Sequence, residues 1–156
     1  MKKILFVAPT QGNGGIASWA ANYRKVCPEE YKLISVGVSK RRSLNNTAGI
    51  FRRMFDGILD MFEVFYNVRQ TLKKNHDINI MHLTISGKPG IVRDYFIVKS
   101  ANKNNVKTIV HCHFGSVWNQ VSDTGFWGKL LRSTFQMADQ VWVLDKKSYD
   151  AINSIN

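Results

Sequence analysis

The chain is poor in cysteine and proline, and these shortages exclude two classes of protein. Its 156 residues contain only two cysteines, Cys27 and Cys112, which form no Cys-x-x-Cys pair. A disulfide framework is therefore excluded, and a reducing compartment is favoured. With three prolines, no low-complexity tract and 44% hydrophobic residues, the chain is not of the disordered class. Its length predicts one domain over residues 1–156, with a core of ordinary size.

Long apolar runs are also missing. No stretch approaches the ~20 residues that a membrane-spanning helix needs. The apolar start "KILFVAP" is about seven residues long and lacks a small-residue cleavage site, so it predicts a buried strand rather than a secretion signal. We therefore expect a cytoplasmic protein.

Acidic residues are scarce relative to basic ones. Eleven Asp and Glu stand against 22 Lys and Arg, for a formal net charge of +11. Such an excess favours anionic partners: nucleic acid, an acidic membrane surface or phosphorylated substrates. A generic soluble surface, balanced by an acidic domain elsewhere, is the alternative that composition leaves open.

Strand-like and helix-like segments alternate along the chain. Parallel strands need crossover helices, so this order predicts an α/β fold, a Rossmann-like parallel sheet with helices on both faces. The predicted strands cover 3–9, 31–38, 77–85, 106–114 and 139–145, and the predicted helices cover 16–26, 47–74, 91–105, 125–138 and 146 onward. Ligands bind beyond the carboxyl ends of such strands, which places the candidate site in the loops that follow them.

The glycine-rich loop "TQGNGG" matches no standard phosphate motif. It is neither G-x-G-x-x-G nor a P-loop, and the second strand ends in Ser39 and Lys40 without a ribose-binding carboxylate, which disfavours a dinucleotide site. The glycines allow a ligand to approach the backbone at a helix N-terminus. A tight strand-to-helix turn explains them equally well, so both interpretations stay open.

Three histidines occupy the third and fourth strands. His111 and His113 are two residues apart, so both point to one side of the sheet and Cys112 to the other. Such imidazoles serve as a general base, a hydroxyl partner or a metal ligand. A hydrogen-bonded core ring is favoured for His82, whereas His113, at the loop mouth, is predicted to face a ligand. We expect no metal, since no third ligand has recognisable spacing. Cys112 is predicted to be a small hydrophobe.

Four segments together resemble a known family: "KILFVAPTQGNGGIASWAANY", "INIMHLTISG", "KTIVHCHFG" and "MADQVWVLDKKSYDAI". Their order and spacing are similar to the N-terminal domain of GT-B glycosyltransferases of the family-four type, which are retaining and use nucleotide sugars. The resemblance implies a domain that binds a glycan or lipid-linked acceptor. A second Rossmann-like domain, absent from this chain, would bind the nucleotide-sugar donor, so the chain is expected to be inactive alone.

The resemblance also implies roles for individual residues. His113 matches the histidine that faces the transferred sugar, and Gly14 and Gly15 match glycines that approach the donor phosphates. The remaining predicted substrate-binding residues are Ser86, His111, Gly115 and Ser116. No cofactor or metal is implied. The family often has serine where this chain has Asp145, which leaves the role of that position open.

Members of this family that build bacterial surface polysaccharides or glycolipids dock on acidic membranes. In this chain the segment "SKRRSLNNTAGIFRRMF" predicts a peripheral docking surface at the inner face of the cell membrane, carried by Arg41, Arg42, Arg52 and Arg53. The alternative, slightly favoured, is that the apolar stripe of Phe51, Met54, Phe55, Ile58, Phe62 and Phe65 covers the sheet. A non-catalytic module that binds phosphate, glycan or nucleic acid is the rival function. Nucleic acid is not expected, because no recognised motif appears.

Overall fold

Five parallel strands form one sheet in the order β2-β1-β3-β4-β5. A computed structural model describes residues 1–12, 14–38, 49–85 and 87–154, with only the backbone of Arg53. The elements are β1 (Lys2–Ala8), α1 (Gly15–Val26), β2 (Tyr31–Gly37), α2 (Ile50–Lys74), β3 (Ile78–Ile85), α3 (Ile91–Lys103), β4 (Lys107–Cys112), α4 (Val117–Ser122), α5 (Phe126–Met137), β5 (Gln140–Trp142) and α6 (Lys146–Asn153). The predicted Rossmann-like α/β fold is confirmed.

The central strand β1 is buried on both of its faces. Leu5 and Val7 belong to the larger core, which includes apolar residues of α2, α3 and α5. Phe6 and Ala8 belong to a smaller core on the other face, beneath Ala20 of α1. Both faces of a parallel sheet are covered by the crossover helices, which is why β1 is an uninterrupted apolar run. Helices therefore lie on both faces, as predicted.

The strand order reverses direction between β1 and β3. The chain runs from β1 to β2 on one side and then returns to place β3 on the other side of β1. The loops that follow β1 and β3 consequently diverge and leave a crevice at the carboxyl end of the sheet. This crevice is where the fold favours a ligand.

Helix α4 was not predicted from the sequence. The segment after β4 was expected to be a loop, but it contains a six-residue helix that buries Val117 and Val121. Six residues are too few to produce a recognisable helical period. Strand β5 is also shorter than expected, with three residues.

The favoured interpretation of α2 was wrong. Its predicted core stripe is largely exposed: Phe51 is 85% and Phe62 is 67% accessible. The helix instead covers the sheet with Val64, Val68 and Leu72 in its carboxyl half. Those three residues repeat every four positions, so they share a face. Phe65, at the edge of that face, is partly buried against the core.

Among the described residues, none of the helices is both long enough and apolar enough to cross a membrane.

Two glycines inside helices are predicted to respond oppositely to substitution by alanine. A Cβ at Gly128 would overlap the carbonyl oxygen of Asp123, so Gly128→Ala is expected to lower the free energy of unfolding by about 1–3 kcal/mol. A Cβ at Gly57 in α2 meets no neighbouring atom of the described residues within 4 Å, so Gly57→Ala is expected to raise it by about 0.5–1 kcal/mol. Urea unfolding measures both, and a shift of the same sign in the two variants would contradict the structure.

Candidate functional site

Three histidine side chains line up on the α1 side of strands β3 and β4. His82 Nε2 lies 3.4 Å from His111 Nδ1, and the rings of His111 and His113 are 3.9 Å apart. The parallel register pairs His82 of β3 with Ile109 of β4, two residues before His111. The three rings therefore follow one another in the order His82, His111, His113 toward the carboxyl end of the sheet. The prediction that His111 and His113 share one side of the sheet, opposite Cys112, is confirmed.

Aromatic rings from α1 and β5 enclose these imidazoles. The Trp19 ring lies 4.4 Å from that of His113 and 4.8 Å from that of His111. Trp142 packs edge-on against His111 at 5.5 Å. Sequence reasoning missed this histidine–aromatic cluster, because its members come from four elements. The only local sign was the four-residue spacing of Trp19 and Tyr23, which puts both on one face of α1.

The two inner histidines of the cluster, His82 and His111, have hydrogen-bonding neighbours, whereas the outer one, His113, has a ring nitrogen without a partner. His82 is buried, and its Nδ1 lies 3.4 Å from the hydroxyl of Tyr23. His111 is buried beside it. His113 is only partly buried, yet its Nε2 is shielded from solvent and has no hydrogen-bond partner in the described part of the chain. A polar atom without a partner is costly to bury, so His113 Nε2 is the ring nitrogen of the cluster whose hydrogen bonding the described residues leave incomplete.

Burial keeps all three imidazoles neutral at neutral pH. It lowers the pKa of His82 to about 4, with smaller contributions from His111 and His113. It lowers the pKa of His111 to about 4, assisted by His113, and it lowers the pKa of His113 as well. A neutral imidazole both accepts and donates a hydrogen bond, so His113 is chemically able to hold a hydroxyl group.

The predicted first-loop glycines lie at the amino end of α1. Gly14 caps the helix and Gly15 begins it. Both are exposed, and a Cβ on either would meet no atom of the described residues within 4 Å, chain neighbours aside. The turn needs a glycine elsewhere, at Gly12, whose φ is +122°. The space beside Gly14 and Gly15 is thus open to a ligand, while Gly12 serves the tight turn.

The other predicted binding residues fall on the loop after β4. Gly115 and Ser116 are exposed. Ser116 has a φ of +62°, a left-handed conformation that is uncommon for serine, and it begins the short helix α4. Ser86 lies outside the described residues. Lys88 after β3 and Asp123 after α4 join these two segments, because their side chains pair at 3.2 Å, a link that sequence reasoning also missed.

The residues predicted to dock on membranes are only partly described. Arg41 and Arg42 lie outside the described residues, as does the side chain of Arg53. Arg52 is exposed in the first turn of α2. The open role of Asp145 has a structural answer: its carboxylate caps α6 by accepting hydrogen bonds from the backbone N–H and the hydroxyl of Ser148, at 2.8 and 2.7 Å.

Cys112 lies on the opposite face of the sheet, as a member of the larger core. Burial raises the pKa of its thiol, and the nearby Asp94 carboxylate raises it further. A thiol held protonated is a poor nucleophile. Asp94 is itself fully buried, where its Oδ1 accepts hydrogen bonds from Arg93 at 2.8 and 2.6 Å. The chemistry of the site is therefore on the histidine face.

Comparison with known proteins identifies no relative: no family model, no curated protein and no solved structure matches the chain. In the described ranges, no group of three or more His, Cys, Asp or Glu side chains is arranged to hold a metal ion. Functional assignment therefore depends on the geometry of the histidine–aromatic cluster and on the motifs quoted above.

We predict that acid destabilises the fold through the buried histidines. An unfolded histidine titrates near 6.5, whereas the pKa of His111 in the fold is about 4. Between these pH values the unfolded chain binds a proton at His111 that the folded chain does not. The contribution of His111 to the free energy of unfolding is therefore fully present above about pH 6.5 and is lost as the pH falls toward 4. Replacing His111 by Gln should reduce this loss by about 2 kcal/mol, as measured by urea unfolding across the range.

The matched control variant is His76→Gln, which removes an exposed histidine that lies outside the cluster. Asp94, with a pKa raised to about 6 by burial, acts in the opposite direction over the same range. Its contribution cancels when variant and wild type are compared. An identical acid response in His111→Gln and wild type would contradict the prediction.

The two thiols are predicted to react at very different rates. Cys27 is partly exposed and Cys112 is buried, so one thiol per native chain should react rapidly with Ellman's reagent. The second should react only after unfolding, because its thiolate is both inaccessible and disfavoured. Cys27→Ser should abolish the fast phase. A fast phase that survives in this variant would show Cys112 to be accessible.

Proposed function

We propose that this chain is the acceptor-side domain of a nucleotide-sugar-dependent glycosyltransferase. The observation that carries the proposal is the unpartnered Nε2 of His113, at the carboxyl end of β4. This is the end of the sheet at which α/β domains bind their ligands. The motifs that resemble GT-B enzymes of the family-four type place their sugar-facing histidine at this same residue.

In this proposal His113 holds a sugar hydroxyl. Its neutral ring accepts the hydroxyl proton in a hydrogen bond or donates to the oxygen, according to its tautomer. His111 and Trp19 pack against it at 3.9 and 4.4 Å and so restrict its orientation. A preorganised partner of this kind stabilises charge that develops during transfer. His111 acts as a positioning residue, since it lies deeper in the cluster than His113.

The donor phosphates are proposed to approach the amino end of α1. Gly14 and Gly15 are exposed at that helix end, and the first backbone N–H groups of a helix favour an anion. Binding of the nucleoside and most of the donor is assigned to a second domain outside this sequence. The chain alone is then expected to bind ligand but to transfer no sugar.

The acceptor is proposed to be a glycan or a lipid-linked glycan of a bacterial cell surface, met at an acidic membrane. The net charge of +11 and the exposed Phe51 and Arg52 at the start of α2 support this location. Basic residues near an anionic leaflet contribute about 1 kcal/mol each to association.

A non-catalytic glycan- or phosphate-binding module is the second candidate. It is favoured by one observation: in the described part of the chain, no carboxylate forms an ion pair with the His113 ring, and its Nε2 has no hydrogen-bond partner. A histidine that acts as a base is usually oriented by such a group. Binding without transfer in the complete native gene product would support this second candidate.

Replacing His113 by Ala tests the proposal. In the complete native gene product, His113→Ala should reduce sugar transfer by about a hundredfold, because the hydroxyl partner is lost from the transition state. His76→Ala, in the exposed turn between α2 and β3, is the control and should transfer at the wild-type rate. Turnover of His113→Ala within a few-fold of wild type would rule out the assigned role.

A further inference from the structure

A groove runs between helices α2 and α3, on the face of the molecule opposite the histidines. Its first part, the apolar half, encloses a cavity of about 250 Å³. Apart from Arg93, which is paired with the buried Asp94, its walls are apolar: Ile58, Met61, Phe62, Phe65, Val92 and Phe96. A cavity lined in this way accepts hydrocarbon and offers nothing to a polar ligand.

The groove continues into a basic half of about 340 Å³. Phe65 and Phe96 line both halves, so the two are contiguous. Beyond these rings the walls carry four exposed cations, two from each helix: Arg69, Lys73, Lys99 and Lys103. In the described part of the chain, none of the four forms an ion pair.

The arrangement of these cations is unfavourable without an anion. Arg69 and Lys73 are four residues apart on α2, and Lys99 and Lys103 are four apart on α3. Like charges at this spacing are neighbours on a helix surface and repel one another. An anion bound between the two helices would relieve both repulsions at once.

The apolar half also extends outward along α2. Phe51, Phe55, Ile58, Phe62 and Tyr66 are exposed, and their spacing of three or four residues places them along one line of the helix. Over these residues the helix rises about 22 Å. An exposed apolar surface of this length marks an interaction site rather than ordinary surface.

We propose that the α2–α3 groove binds an anionic phospholipid of a membrane, with an acyl chain in the apolar half and the headgroup phosphate at the four cations. Charge complementarity selects this occupant, because the apolar and basic halves match the two ends of such a lipid. A second copy of the chain fits poorly, since both copies carry a charge of +11. The proposal rests on the membrane association proposed above and assigns it a specific site.

Co-sedimentation with vesicles tests the basic half. The wild type should bind phosphatidylcholine vesicles that contain phosphatidylglycerol and should not bind vesicles of phosphatidylcholine alone. Neutralising the basic half should weaken binding by about tenfold or more; the substitutions are Arg69→Gln, Lys73→Gln, Lys99→Gln and Lys103→Gln. A control variant with the same net charge should lose less than about threefold, with exposed lysines replaced elsewhere: Lys2→Gln, Lys25→Gln, Lys32→Gln and Lys129→Gln.

Titration with monomeric dioctanoyl phosphatidylglycerol tests the apolar half. Phe62→Ser should weaken binding by about tenfold, whereas Phe126→Ser, which removes an equally exposed ring from α5, should not change it. Neither ring is buried, so both variants are expected to fold. Glycerol phosphate, the headgroup without acyl chains, should bind far more weakly than the lipid.

The possible outcomes separate the groove from the wider proposal. Equal loss of vesicle binding in the two charge variants would overturn the groove but leave membrane association standing. Equal affinity for glycerol phosphate and the lipid would overturn the role of the apolar half. If the wild type does not bind anionic vesicles, both the proposed membrane association and the proposed lipid groove are overturned. The sugar-transfer test at His113 is unaffected by that result. Loss of a dimer in Phe62→Ser, with lipid binding unchanged, would assign the groove to a second copy.

Discussion

The structure depends on burying both faces of its three central strands. Side chains of β1, β3 and β4 alternate between two cores, so every polar group on these strands needs a partner within the protein. Thr84 meets this requirement by donating its hydroxyl to the carbonyl of Val7 at 3.2 Å, and His82 meets it through Tyr23 and His111. In the described residues the requirement is not met just beyond the end of β4, where His113 Nε2 is shielded from solvent and has no partner.

The two faces of the sheet are covered by different kinds of side chain. On the α1 face, aromatic rings surround neutral imidazoles, and the low polarity that excludes their charge also strengthens any hydrogen bond a ligand makes there. On the other face the core is mainly aliphatic, and the fully buried Asp94 is paired with Arg93. The outer surface of that layer, between α2 and α3, carries the exposed apolar and basic side chains. The proposed sugar site and the proposed lipid groove thus lie on opposite faces of the sheet.

The fold was predictable because its signals are local. Short apolar runs alternate with helical periods, and that alternation has few solutions other than a parallel sheet. The histidines at the end of β4 were recognisable for the same reason, since an imidazole in a strand of valines is conspicuous. Helix α4 escaped prediction because a six-residue helix has no period to detect. The exposed face of α2 was not predicted, because apolar residues lie on two sides of this helix and the sequence does not indicate which side packs on the sheet.

The sequence by itself determined the class of fold, the run of buried strands, the basic charge and the side of the sheet that His111 and His113 share, because each of these follows from composition or from the two-residue period of a strand. Only the tertiary structure decided which histidine atom lacks a partner, that Trp19 and Trp142 enclose the imidazoles, and that Phe62 faces outward beside Phe96. Those properties depend on contacts between elements that are distant along the chain. No local sequence pattern predicts these contacts, because they are determined by how the helices pack on the sheet.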